Sequence, residues 1–393
     1  MGVNLDACFD EFNETVNKTV DSIRRGYGRN TVLKGIKKTC FDRNMVFEVA
    51  KCRIKARKKF GELADKLFFD EEGLRYSTPP MVAEYRAKRL RCKSVADVSC
   101  GVGVQLLFFS KHAEHTLGVE KNPFRLELAR LNAFALGCDN VSLMQRDALD
   151  ERLAKELDAD CVFSDPARPA GEKVRKLETL QPNPVEVYRL YQVKTGRIAF
   201  ELPPQISREN IVIDGEKEYT SLNFRLNRLA LYTGELATCD VSAVSLPSEE
   251  RVTNEDEPMS LLESDKVRDY FYEVDVTIIK SGLLSNLLGK IGFDGSLVQT
   301  GKRRTLLSSN GLYESAFLRT YVVRETLVFD VPTINKALKR LNARKVTLRF
   351  EIDSKDYWGF RKKVEEGLNG EKHFYLFKVG GKAVIAEPSD IQK

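Results

Sequence analysis

The chain has 393 residues, 42% of them hydrophobic and 31% charged, which suits a soluble protein of two or three domains with buried cores. No apolar run approaches the roughly 18 residues that span a bilayer, and the acidic start "MGVNLDACFDEFNETV" lacks the basic-then-apolar order of a secretory signal. The net charge of +6 is unevenly spread: between Arg24 and Lys59 stand 13 Lys/Arg against Asp42 and Glu48, a local +11, so the remainder sums to −5.

Residues 1–75 carry few strand signals and are predicted to be a helical, basic region. In "NMVFEVAKCRIKARKKFGELADKLFF", Val46, Val49, Ile54, Leu63 and Leu67 recur near helical spacing with basic residues between them. From 76 to 245 the pattern alternates. Strand-like runs "SVADVS", "HTLGVE", "VSLMQ", "DCVFSD" and "RIAFEL" are separated by helical stretches such as "PFRLELARLNAFALG", with Asn122 as N-cap and Pro123 at the first helical position. Such alternation predicts a Rossmann-like α/β domain on a mostly parallel sheet. The run "YTSLNFRLNRLALYTG" reads as an antiparallel hairpin closing it, seven strands in all. Residues 246–263, "LPSEERVTNEDEPMSLLE", are acidic with two prolines and read as a solvated linker. Residues 264–393 read as a small mixed α/β domain.

Asp97, Gly101 and Gly103 in "ADVSCGVGV" sit where the first parallel strand must turn tightly into a helix, with a ligand over the turn. Leu106 stands where a dinucleotide fingerprint has its third small residue. An acid four residues before the first glycine fits a cationic, phosphate-free ligand such as S-adenosylmethionine (SAM). Glu120 ends the second strand 23 residues after Asp97, where an acid can accept both ribose hydroxyls. Asp147 follows the third strand, where it can accept from an adenine amino group while Ala148 offers a backbone donor. Each acid alone also reads as a solvated loop residue; three at successive strand ends do not. Ser99, Cys100, Lys121 and Asn122 complete the candidate cofactor set around these turns.

The fourth strand ends in "FSDPARP". Asp165, Pro166 and Arg168 occupy the place of the [DNS]PP[YFW] motif of amino-group methyltransferases, in which an acid or amide accepts from the amine and an aromatic stacks on the base. Asp165 can receive a proton in an in-line methyl displacement. Arg168 can cover a base with its guanidinium plane or hold a phosphate, though "DPAR" also reads as a plain turn. The basic segment, interleaved with Tyr27, Phe41, Phe47 and Phe60, can pair phosphates and stack bases, or be the solvated face of a helical cap. Lys302, Arg303 and Arg304 form a smaller cluster. The eight cysteines are scattered without CxxC, which argues against zinc or a disulfide framework and suits reduced thiols in a cytoplasm. His112 and His115 lack a third ligand, so no metal is expected.

The stretch "DPARPAGEKVRKLETLQPNP" resembles the "DPARR…GRRV…L…YSP" segment of bacterial and archaeal class I SAM-dependent methyltransferases that carry a C-terminal THUMP-like domain. "DGEKEYTSLNFRLNRLALYTGEL", "YFYEVDVTIIKSGLLSNLLGKIG" and the closing "VTLRFEIDSKDYWGFRKKVEEGLNGEKHFYLFKVGGKAVIAEP" extend the resemblance over roughly residues 75–388. Pro169 departs from it, replacing the second arginine. "RYSTPPMVAEYRAKRL…ADVSCGVG" is similar to trimethylguanosine-synthase-type guanine-N2 methyltransferases, which implies that Ser77 and Thr78 line the methionine end of a SAM pocket. Together these resemblances imply a SAM-dependent methyltransferase and suggest RNA as substrate. A small-molecule or protein methyltransferase, and a SAM- or RNA-binding protein without turnover, stay open.

Overall fold

The computed structural model describes residues 5–36, 42–168, 175–301 and 304–389; Cys40, Phe41, Pro169, Lys302 and Arg303 lie outside them. The chain divides into two compact units, Met1–Lys217 with Leu229–Thr238, and Glu218–Arg228 with Cys239–Lys393.

The first unit opens with helices α1 (Leu5–Arg24), α2 (Arg29–Gly35), α3 (Arg43–Phe60), α4 (Glu71–Tyr76) and α5 (Pro80–Arg89). Asp42 starts α3 by accepting from the amides of Asn44 and Met45 at 2.8 and 3.3 Å. Gly61 ends it in the left-handed region, and Arg57, Lys58 and Lys59 fall on its last turn, where the helix dipole favours cations. The apolar stripe of α3 is buried through Val46, Val49, Ala50, Ala56 and Phe60. Phe12, Val16, Val46 and Phe68 form one continuous core with Leu107, Phe109, Leu128 and Phe163. The sequence divides the chain near residue 75, yet both sides of that point share this core.

Strands β1 (Ser94–Asp97), β2 (His115–Val119), β3 (Val141–Met144), β4 (Cys161–Ser164) and β5 (Ile198–Leu202) alternate with α6 (Val104–Phe109), α7 (Pro123–Ala135), α8 (Glu151–Glu156) and α9 (Pro184–Tyr191). The five strands are parallel, with β1 between β2 and β4. β6 (Glu216–Leu222) and β7 (Leu226–Tyr232) follow, and β7 runs antiparallel to β5. Strand order is β3-β2-β1-β4-β5-β7-β6, and β8 (Val241–Leu246) and β9 (Glu250–Thr253) lengthen it to nine where seven were expected.

The second unit holds a mixed sheet of eight strands. It comprises β10 (Leu262–Glu263), β11 (Tyr270–Val274), β12 (Ser296–Thr300), β13 (Thr305–Ser309), β14 (Leu318–Val328), β15 (Ala343–Leu348), β16 (Lys372–Val379) and β17 (Lys382–Pro388). Their order is β10-β12-β13-β11-β14-β17-β16-β15. Helices α10 (Val276–Ser281), α11 (Leu284–Lys290), α12 (Val331–Arg340) and α13 (Ser354–Val364) connect them. Residues 246–263 are not the expected solvated linker. β9 pairs with β8, β10 with β12, and Asp256 accepts from the Thr253 amide at 2.7 Å and pairs with Lys290 at 3.0 Å. The density of acids in this stretch hid the short strand "ERVT" from a reading by composition.

Among the described residues no helix is long and apolar enough to cross a membrane, and no group of three or more His, Cys, Asp or Glu is placed to hold a metal. His112 bonds Glu84 at 2.7 Å, and His115 stands exposed at the start of β2.

Candidate active site

The carboxyl ends of β1, β2 and β4 are laced together by the backbone that leaves them. Asp97 lies in register with Gly118 of β2 and Phe163 of β4. Beyond it, the Val98 amide donates to the Phe163 carbonyl at 2.9 Å and the Cys100 amide to the Val119 carbonyl at 3.0 Å. The Ser99 hydroxyl accepts from the Asp165 amide at 2.9 Å and lies 2.9 Å from the Ser164 hydroxyl. Glu120 closes the other side: its Oε2 accepts from the Gly101 amide at 3.0 Å and its Oε1 from the Asn122 amide at 2.8 Å. Each of its oxygens keeps a lone pair for a further donor. The structure therefore brings Asp97, Ser99, Gly101, Glu120 and Asp165 to one rim.

The two glycines are there for different reasons. Both have left-handed backbones, with φ of 56° at Gly101 and 78° at Gly103. A Cβ on Gly101 would face open space, whereas one on Gly103 would come within 2.9 Å of the Ala129 side chain on α7. A side chain at Gly101 would thus enter open space, while Gly103 lets two helices approach. Gly101→Val is expected to fold with roughly 1–2 kcal/mol of backbone strain and to lose SAM binding. Gly103→Val adds overpacking of roughly 1–3 kcal/mol to the same strain. Thermal denaturation should therefore place Gly103→Val clearly below Gly101→Val. Calorimetry should show no SAM binding by Gly101→Val.

Asp97 is 1% exposed. Burial raises its carboxyl well above the ordinary range, opposed by the Ser99 amide it accepts from at 3.0 Å and reinforced by the negative charges of Asp165 and Glu120. A cation placed on this rim relieves that repulsion, which makes the donor set suited to a sulfonium and an ammonium. The Cys100 side chain is 8% exposed. It is buried against the place a Cβ of Gly118 would take, and burial pushes it well up.

At the end of β3, Asp147 is exposed, accepts from the Leu149 amide at 2.9 Å and lies 3.9 Å from Lys121 Nζ. Ala148 is buried, and its carbonyl accepts from the Tyr191 hydroxyl at 2.9 Å, so α9 holds this turn in place. The Asn122 side chain is committed to capping α7, accepting from the Phe124 and Arg125 amides at 3.0 and 3.2 Å. Ser77 bonds back to the Gly73 carbonyl at the end of α4, and Thr78, 3% exposed, donates to Asp165 Oδ2 at 3.5 Å. Pro166 is buried and Arg168 half-buried.

Asn132 is a supporting residue that sequence reasoning missed. Fully buried on α7, it donates to the carbonyls of Phe68 and Val102 at 3.0 and 2.8 Å and accepts from the Phe68 amide at 2.7 Å. It joins the glycine turn to the N-terminal helices. The available signal was an Asn four residues after Leu128, on the apolar stripe of the helix.

The basic segment is less uniform than its composition. Arg53 is 2% exposed and structural. It donates to Asn13, Asn17 and the Leu67 carbonyl, packs over the Phe68 ring, and burial lowers it to about 10. Arg57 pairs with Asp65, Lys55 with Glu71, and Lys51 with Glu48. Phe47 and Phe60, expected as stacking platforms, are core residues because α3 turns that face inward. Tyr27 is 55% exposed, and Arg24, Arg25, Lys34, Arg43 and Lys58 stand exposed. In the second cluster, Arg304 bonds Glu273 at 3.0 Å.

No family model matches the chain. It is 28% identical over 310 residues, 75% of its own length and 81% of the relative's, to an uncharacterized S-adenosylmethionine-dependent methyltransferase of Mycobacterium tuberculosis. A segment of 93 residues, 22% of this chain and 20% of the relative, is 33% identical to an uncharacterized RNA methyltransferase of Staphylococcus aureus. The crystal structure of a candidate methyltransferase from Porphyromonas gingivalis superposes with a TM-score of 0.75 at 19% identity, covering 96% of this chain and 97% of that one. That likeness establishes the shared fold.

Proposed function

We propose that this chain, a SAM-dependent methyltransferase, methylates a nitrogen of a base in RNA. The observation that carries the reading is the rim of carboxylates at the ends of successive parallel strands, with Asp165 at the start of its DPAR turn bonded to Thr78. In this reading Asp97 and the cleared space at Gly101 receive the cationic methionine end beside Ser77 and Thr78. Glu120 takes the ribose hydroxyls, and Asp147 with the Ala148 backbone takes the adenine. Ser99, the Cys100 backbone, Lys121 and Asn122 shape the turns around them. SAM supplies an electrophilic methyl on a sulfonium. The protein's own task is then to align the amine and accept its proton, the role this reading gives Asp165.

RNA is favoured as substrate by the exposed cations and the exposed Tyr27 of the N-terminal region, by the segment similar to an RNA methyltransferase, and by the resemblance of the C-terminal residues to a THUMP-like domain. The test is transfer of tritium from labelled SAM to total RNA from a strain lacking the gene, followed by mass spectrometry of the nucleosides. The wild-type chain is expected to label one nucleoside. Asp165→Ala is expected to lose roughly 10²–10⁴-fold in rate, the usual worth of a positioned base. No transfer to RNA by the wild-type chain would remove the RNA reading, and undiminished transfer by Asp165→Ala would remove Asp165 from the chemistry.

A further inference from the structure

The DPAR turn has arginine where amino-group methyltransferases place the aromatic that stacks on the base. We infer that Tyr76, from the end of α4, supplies that aromatic face for a planar nucleobase. This rests on the RNA reading above and assigns one residue within it.

The placement is specific. The Tyr76 hydroxyl donates to the backbone carbonyl of Arg168 at 3.4 Å. Arg168 is the fourth residue of the turn, the position from which the motif's own aromatic would project. Two residues after Tyr76, the Thr78 hydroxyl reaches the Asp165 carboxylate at 3.5 Å. The ring is thus tied to one end of the DPAR turn and its chain to the other.

The helix carrying Tyr76 is held firmly. Arg125 of α7 pairs with Asp70, the N-cap of α4, at 3.1 Å and also with Glu72. Gly73 lies so close to Val102 of the glycine turn that an added Cβ would meet its side chain at 2.5 Å. Tyr76 itself is half-buried, so its ring is positioned by packing yet accessible. The exposed Arg75 guanidinium lies over the ring, 5.3 Å from its centroid, so the face already takes a flat cation that an arriving base displaces towards its phosphate.

Methyl transfer to RNA by Tyr76 variants separates stacking from a merely structural tether. Tyr76→Phe keeps the ring and loses the hydroxyl; it is expected to stay within about 3-fold of wild type in kcat/KM. Tyr76→Ala loses the platform and is expected to fall roughly 10- to 100-fold, the worth of a base–aromatic stack, with SAM affinity by calorimetry within about 2-fold of wild type. Combining Tyr76→Ala with Arg168→Tyr returns an aromatic to the turn and is expected to recover part of the loss. Equal losses in Tyr76→Phe and Tyr76→Ala, or Tyr76→Ala as active as wild type, overturn the assignment while leaving the RNA reading intact. Absence of RNA methylation by the wild-type chain overturns that reading and the nucleobase assignment with it.

Discussion

Asp97→Asn is expected to weaken SAM binding by at least about 100-fold while making the unliganded protein more stable. The amide keeps the shape of the carboxyl and still accepts from the Ser99 amide at Oδ1, so the turn is preserved. It lacks the charge proposed to face the cationic end of the cofactor. In the unliganded wild type that charge is buried, and Asp165 and Glu120 oppose it. Functional sites often hold such strain. The pH dependence follows from the raised carboxyl. Below the ordinary carboxylate value of about 3.9, folded and unfolded chains both carry the proton and the burial has no ionic cost. As pH rises from there towards the raised folded value, the unfolded chain ionises first and folded stability falls. Asp97→Asn escapes this fall, so its advantage in Tm should widen from acid to neutral pH by about 2–4 °C for each kcal/mol recovered. SAM, as a cation, favours the ionised carboxylate. Wild-type binding should therefore strengthen with rising pH and release a proton, measurable by calorimetry in two buffers of different ionisation enthalpy. A variant that binds SAM as tightly as wild type would remove Asp97 from the site.

Arg86→Met is expected to destabilise the first unit by about 3–5 kcal/mol, the usual consequence of breaking a buried ion pair from one side. Arg86, on α5, is fully buried and bonds Glu201 of β5 at 2.9 Å and the Tyr232 hydroxyl of β7. Next to it, Arg89 lies 4.5 Å from the Tyr232 ring centroid and bonds Glu216 at 2.8 Å and the Leu236 carbonyl at 2.7 Å. Without the Arg86 cation, Glu201 at 2% exposure must be neutralised or hydrated on an interior strand of the sheet. Paired replacement, Arg86→Met with Glu201→Leu, removes both charges and should recover most of the loss, because desolvation of the pair offsets much of its attraction. Denaturant midpoints of the three variants check this. A single variant as stable as wild type would show that the network contributes little.

Much of this protein is legible in its sequence because the determining interactions are local. Alternating apolar runs placed the five parallel strands, since a buried strand needs only its own run of side chains. Asp97, Gly101, Glu120 and Asp165 are legible because each sits at a fixed offset from a strand end, and the parallel sheet brings strand ends together whatever lies between. Asn122 was placed as a cap for the same reason. The linker at 246–263 failed because its acids outweigh the short alternation of β9, which folds back on the neighbouring β8, and because β10 finds its partner, β12, only far along the chain.

The basic segment shows what composition cannot decide. Thirteen neighbouring cations look alike in sequence, but which face of a helix turns inward depends on what the helix packs against. Burial of Arg53 depends on Asn13, Asn17 and Phe68, and the separate duties of Gly101 and Gly103 depend on Ala129. The sequence by itself determined the strand order of chemistry: acids and glycines at the ends of β1, β2, β3 and β4, and with them the cofactor class. Only the tertiary structure decided what stands around that chemistry, setting Tyr76 beside the turn that lacks an aromatic and Asn132 under the glycine loop. Those pairings join residues tens of positions apart, and their specificity lies in packing between elements, which no local spacing records.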